Sequence, residues 1–202
     1  MIFLLIGCAA AVAGVVYSSF FEWVLHKYLM HSDRFMKYPH RAHQLEHHGI
    51  FRADATYFLT EGIHSKEDET HLTFAWWNAP LLIGLHAPIG VAIFLWAGGW
   101  PAVLGSALGM IGYYAMYEYI HYCMHVLKGR PFERTRFFQF IQTHHRLHHV
   151  YFQKNLNVVL PIADTILGTR ITLKDAALFE RLEGVRQKRI ERAKKSASTA
   201  RA

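Results

Sequence analysis

Two cysteines in 202 residues are too few for a disulfide framework, and Cys8 and Cys123 lack the spacing of a zinc ribbon. Both sit in apolar runs, where a free thiol is expected to be a buried packing group. Charge is also scarce, at 18% Asp, Glu, Lys and Arg, and the basic residues are missing in blocks. No Lys or Arg occurs in 1–26 or 71–127, while six fall in 27–70 and sixteen in 128–202, which accounts for all 22. The formal charge of +7 therefore does not indicate a nucleic-acid binder, which has no reason to exclude base from two long blocks. The positive-inside bias of membrane proteins leaves this pattern. No internal repeat or extended low-complexity segment is present, and the length fits one domain, 1–202.

What the chain does have is 52% hydrophobic residues, 14% aromatic residues and fifteen histidines. Residues 2–25 form a long apolar run interrupted only by Ser, Tyr and Glu22. Residues 79–97 form a second, reaching roughly 28 Å at about 1.5 Å per residue, one hydrocarbon core. Gly98, Gly99, Trp100 and Pro101 carry turn chemistry, and 101–122 is the third run, so the last two read as a helical hairpin. The first run has no positive n-region and is expected to be a retained helix rather than a cleaved signal. The charges put 27–75 and 126–202 in the cytoplasm, the amino terminus and the 98–101 turn opposite, and Trp76 and Trp77 at the cytoplasmic interface. The expected fold is all-α: an integral-membrane, multi-pass helical protein with three to four spans and a cytoplasmic helical cap carrying the histidine clusters. The loop 49–75 is polar with little periodicity. Beyond it, Leu178, Phe179, Leu182 and Val185 recur at helical spacing. The basic tail 186–202 reads as a solvated helix end or as a segment drawn to anionic headgroups.

Four histidine groups carry the chemistry: His26 and His31; His43, His47 and His48; His121 and His125; His145, His148 and His149. On an α-helix, residues three or four apart share a face. His43/His47, His121/His125, His145/His148 and His145/His149 can therefore each aim two imidazoles at one point. His26 and His31, five apart, converge only if the helix ends or two metals are served, which favours a dinuclear site. All four groups fall on the side of the membrane that the charges make cytoplasmic. Neutral imidazole suits Fe, Zn, Cu or Ni. Ligand histidines also need partners for the other ring nitrogen. Glu22, Glu46 and Glu118 lie close to clusters in sequence and are candidates for that support; the alternative is a carboxylate near the interface paired with Lys or Arg. His40 and His144 flank clusters and could replace a neighbour in register. His64 and His71 read as surface residues. His86, mid-span beside Pro88, is a functional suspect or a neutral, hydrogen-bonded side chain.

These groups resemble the histidine boxes of the fatty acid hydroxylase and sterol desaturase superfamily: H-x4-H, H-x3-HH, H-x3-H and H-x2-HH, in that order. The stretch Asn155 to Thr169, with Pro161, Asp164 and Gly168, also looks like the segment that follows the last box there. The resemblance runs from about residue 20 to 170. It implies a di-iron centre (with zinc possible in isolated protein), O₂ as oxidant and two electrons from an external donor. By position the ligands would be His26, His31, His43, His47, His48, His121, His125, His145, His148 and His149, with Asp164 supporting the last box. Some members have H-x2-HH at the second box, which leaves His40 or His43 to complete it. No cytochrome b5-like domain is fused here, so a ferredoxin- or cytochrome b5-like donor with its reductase is expected as a separate partner.

The expected activity is hydroxylation of one C–H bond of a lipid drawn from the bilayer, a fatty acyl chain or a sterol-like ring, without a catalytic residue beyond the metal ligands. Desaturation would use the same site, and so would carotenoid ring hydroxylation, whose first box resembles Leu25 to His31. A membrane zinc hydrolase is a further reading, because His43-Gln-Leu-Glu46-His47 matches the inverted H-x-x-E-H signature. A metal transporter would want its ligands within the spans rather than at one face.

Overall fold

The computed structural model describes residues 1–177, so the helical spacing at Leu178 to Val185 and the basic tail 186–202 lie outside the described residues. The chain forms one compact unit over 1–170 and a second over Ile171–Ala202. Of the second unit only its start is described, where the Thr172 amide and hydroxyl both donate to the Asp175 carboxylate, at 2.7 and 2.8 Å.

The first unit is helical, and no strand occurs among the described residues. Helix α1 (Ile2–Val24) runs straight into a π-helical turn, Leu25–Met30. The short α2 (Lys37–His40) likewise runs into a π-helical turn at Arg41–His47, and α3 (His48–Ile50) follows. The polar loop folds into two 3₁₀ turns, Ala55–Tyr57 and Asp68–Leu72. Then come α4 (Asn78–Trp96) and α5 (Gly99–His125), joined at Gly98, whose φ of 120° a side chain would resist. Helices α6 (Arg136–His148) and α7 (Ile162–Ile166) complete the unit.

Two helical stretches, Ile2–Met30 and Asn78–Trp96, are long and apolar enough to cross a membrane. Little of either apolar stretch is buried, so neither is the core helix of a water-soluble protein. Toward its end α1 buries Ser19, Glu22 and Trp23 in the body of the protein. The third expected span falls within α5, which is not apolar enough to count with these two, and the reason is packing. One face of α5 is pressed against α1 through backbone contacts, so glycine, serine and tyrosine occupy positions where a lipid-facing helix carries aliphatics. A Cβ at Gly105 would stand 2.1 Å from the Gly7 carbonyl oxygen, and one at Gly109 2.3 Å from that of Ala11. From the other side, a Cβ at Gly14 would meet the Ser106 oxygen at 2.6 Å. This small-residue seam, with Gly105 and Gly109 four apart, is a recognised way to bring membrane helices close. Helix α4 is the opposite case: it contains Pro88 and has no buried residue.

Cys123 is buried as expected, whereas Cys8 is exposed. The apolar run around Cys8 is the outer surface of α1, and apolar sequence there reflects a non-aqueous exterior rather than a protein core.

Candidate metal centre

The two π-helical turns set the geometry. Within each, backbone bonds run between residues five apart: the His31 amide donates to the His26 carbonyl at 3.1 Å, and the His48 amide to that of His43. Residues five apart are thereby brought onto one side, which an α-helix does not do. His26 converges with His31, and His43 with His48. The α-helical pairing expected of His43 with His47 is replaced, because the helix that carries them is wound differently.

Ten histidines gather as two adjoining groups. His26, His31, His43, His48 and His148 form the first, and His47, His125, His145 and His149 the second, each with one nitrogen per ring within 4.8 Å of the others. His121 stands beside the second group, its ring 4.8 Å from those of His47 and His145, and its buried Nε2 has no partner. The second and fourth boxes are split between the groups. His145 meets His149 at 3.0 Å between Nε2 atoms, while His148 belongs with the first group.

The ring nitrogens argue for cations. In seven of the ten rings Nδ1 faces an oxygen that can only accept a hydrogen bond. These are the carbonyls of Leu156 for His26, His71 for His47, Leu72 for His121, Tyr57 for His125, Lys154 for His148 and Phe51 for His149, with the Gln44 Oε1 for His31. Each of these rings carries its proton on Nδ1, and Nε2 presents a lone pair. Yet Nε2 of His31 stands 3.0 Å from Nε2 of His148, and those of His47 and His149 are 3.3 Å apart. Two lone pairs face each other repulsively unless a cation lies between them. Ligands about 2.0–2.1 Å from a metal, at 90° to 109°, lie about 2.9–3.3 Å apart, which is the spacing seen. Protonation does not relieve the clash. Burial, reinforced by neighbouring imidazoles, holds His43, His47, His48, His145 and His148 well below their ordinary value. His31 is lowered by burial to about 4, and His149 to about 3. The residues fit metal ions at both groups.

The carboxylates named from the sequence act at one remove, because the ring nitrogens are taken by backbone carbonyls. Glu22 accepts from the Tyr113 hydroxyl at 2.6 Å, the Asn157 side chain at 3.0 Å and the Val158 amide at 2.6 Å. Asp164 accepts from the amides of Leu156 (3.0 Å) and Asn157 (2.7 Å), from Thr169 (2.6 Å) and from His144 (3.1 Å). Burial tends to raise the Asp164 carboxyl, but the bonds from His144, Thr169, Asn157 and Leu156 outweigh it and hold it below the usual range. Together Glu22 and Asp164 fix the segment 154–160, whose Lys154 and Leu156 carbonyls orient His148 and His26. Glu118 accepts from the Phe74 amide at 3.1 Å, securing the end of the loop that orients His47 and His121. Glu46 turns outward to Arg41 and His71. With His43 and His47 in different groups, the inverted zinc signature is not assembled.

His144 is committed to Asp164, outside both groups. His40 is half-buried, its Nδ1 has no partner, and it also lies outside them. His64 accepts from the Thr60 amide, and His71 neighbours Glu46. Sequence reasoning missed Gln44 and the orienting carbonyls. Gln44 could have been noticed beside His43, but backbone carbonyls leave no residue-type signal.

A cavity of about 360 Å³ lies among α1, α4 and α5, and His26 of the first group lines it. Its walls are mostly apolar, among them Phe21, Leu25, Leu82, Ile83, Val103 and Met110. The lining residues on α4, from Ala79 to Gly90, extend roughly 16 Å at about 1.5 Å per residue.

Comparison with known proteins agrees with this chemistry. Over 169 residues, 81% of the chain, the sequence is 29% identical to the dihydroceramide fatty acyl 2-hydroxylase of Arabidopsis thaliana. The chain spans 61% of the length of that relative. No family model and no solved structure matches. The histidine groups and the apolar helices fit a metal-binding protein associated with a membrane.

Proposed function

We propose that the chain is a membrane-bound oxygenase that inserts one atom of O₂ into a C–H bond of a lipid acyl chain. The balance is C–H + O₂ + 2e⁻ + 2H⁺ → C–OH + H₂O, with the electrons supplied by a separate ferredoxin- or cytochrome b5-like protein at the cytoplasmic face. The observation that carries the reading is the apolar cavity between the spanning helices, which reaches His26 within the first histidine group. A pair of iron ions would supply the activation of O₂ that no amino-acid side chain provides. His26, His31, His43, His48 and His148 would hold one ion, and His47, His121, His125, His145 and His149 the other. The orienting carbonyls keep each Nδ1 protonated and each Nε2 available. The cavity excludes water and brings one carbon of the chain to the centre. The similarity to a fatty acyl 2-hydroxylase supports the acyl chain over a ring substrate.

Purified protein grown on enriched iron is expected to hold about two irons per chain by elemental analysis, giving one coupled Mössbauer signal. With a reduced donor and O₂ it should convert acyl lipids into products heavier by one oxygen. One zinc per chain with no capacity for iron would overturn the reading.

A further inference from the structure

His86 is the one ionisable residue of α4, and neither histidine group uses it. Its Nδ1 lies 2.6 Å from the Leu82 carbonyl oxygen, one turn back. A carbonyl only accepts, so Nδ1 holds the proton, and a neutral ring leaves Nε2 as an acceptor. The ring is steadied edge-on by Tyr17 and Phe21, with centroids 5.5 and 4.6 Å away.

The cavity gives this acceptor its meaning. Several other polar groups on its wall are already bonded: Ser18 donates to the Gly14 carbonyl and Ser106 to that of Val103, and Glu22 is held by Tyr113, Asn157 and Val158. Of the α4 side chains that line the cavity, only His86 is polar. It stands seven residues from Ala79, which lies toward the His26 end, hence about 10 Å along the helix. An acceptor left unpaired in such surroundings costs free energy, and a ligand bringing a donor recovers it.

We propose that His86 determines specificity. Its Nε2 accepts a hydrogen bond from a hydroxyl carried by the lipid about 10 Å from the carbon presented to the histidine groups. The donor is a hydroxyl rather than a headgroup amide, because His86 is set at the depth of the hydrocarbon. This inference rests on the lipid reading above, and its test separates the two.

Binding is measured on purified protein as isolated in detergent, with no electron donor present, by displacement of a fluorescent fatty acid. The competing probes are stearic acid and a hydroxystearic acid with its hydroxyl near mid-chain. The wild type is expected to prefer the hydroxy acid by about tenfold, the worth of one hydrogen bond shielded from water. His86→Phe keeps the ring contacts with Tyr17 and Phe21 but removes the acceptor. It should bind stearic acid as the wild type does, which verifies its fold, and bind the hydroxy acid no better. Equal affinities in the wild type, or a preference that survives in H86F, would overturn the role of His86 and leave the lipid reading standing. Failure of both acids to bind would sink the lipid reading and this inference with it.

Discussion

The two histidine groups use one side chain and similar numbers of ligands, yet different parts of the chain hold them in place. The first takes its orienting acceptors from Gln44 and from the Lys154 and Leu156 carbonyls. The second takes them from the Phe51, Tyr57, His71 and Leu72 carbonyls. The first also touches the cavity through His26 and has one partly buried member, His31, on which the 38% exposed Phe152 stacks. Every member of the second is buried. A buried site can therefore be divided by its supports: the segment after α6 orients the group that touches the cavity, and the loop before α4 orients its neighbour.

Removing one ligand from each group tests that division most severely. His148→Ala and His125→Ala should each lower bound metal from about two ions per chain to about one, and each should reduce turnover at least about 100-fold. Loss of both ions in either variant would mean one shared site rather than two.

Acid should act on both groups at once. An unfolded histidine titrates near 6.5, whereas His31 is lowered to about 4 and His149 to about 3. As pH falls through that window the unfolded chain binds protons first, so stability present above 6.5 drains away toward the folded values. Each histidine contributes about 1.4 kcal/mol per pH unit across its window. Chemical denaturation of the metal-free protein at neutral pH and near pH 5 should show a clear drop, and a flat profile would count against buried neutral imidazoles.

Asp164→Asn reaches the first group through the amides of Leu156 and Asn157. It should weaken metal binding there about 10- to 100-fold and leave the second ion in place, as competition with a chelator would report. The smallest effect belongs to Asp54, whose carboxylate caps the Ala55–Tyr57 turn by accepting from the Thr56 amide. Asp54→Ala should lower the thermal midpoint only slightly and loosen only the second group, seen as faster loss of that ion.

Much of this site could be read from the sequence because histidine spacing and charge segregation are both one-dimensional signals. The membership of the ten-histidine cluster and the α4–α5 hairpin were legible for that reason. The partition was not, because it depends on how Leu25–Met30 and Arg41–His47 are wound, and a single extra residue per turn changes which imidazoles meet. The loop 49–75 looked featureless since its contribution is made by backbone carbonyls. Glu22 and Glu118 stand out in the sequence as costly charges in apolar runs, but their partners lie far away in sequence, at Val158 and Phe74. The seam of α1 and α5 did leave a trace, in Gly105 and Gly109 within an apolar run.

That seam has a consequence for traffic. Where the carbonyls of one helix rest on the glycines of another, no acyl tail can slip through, so the wall formed by α1 and α5 is closed from Gly7 to Gly14. For the lipid proposed above, the doorway would then be on the side of α4, the helix that buries nothing. A lipid would arrive sideways from the leaflet, and the rate would follow how crowded the bilayer is with that lipid rather than how much of it is dissolved in the surrounding water.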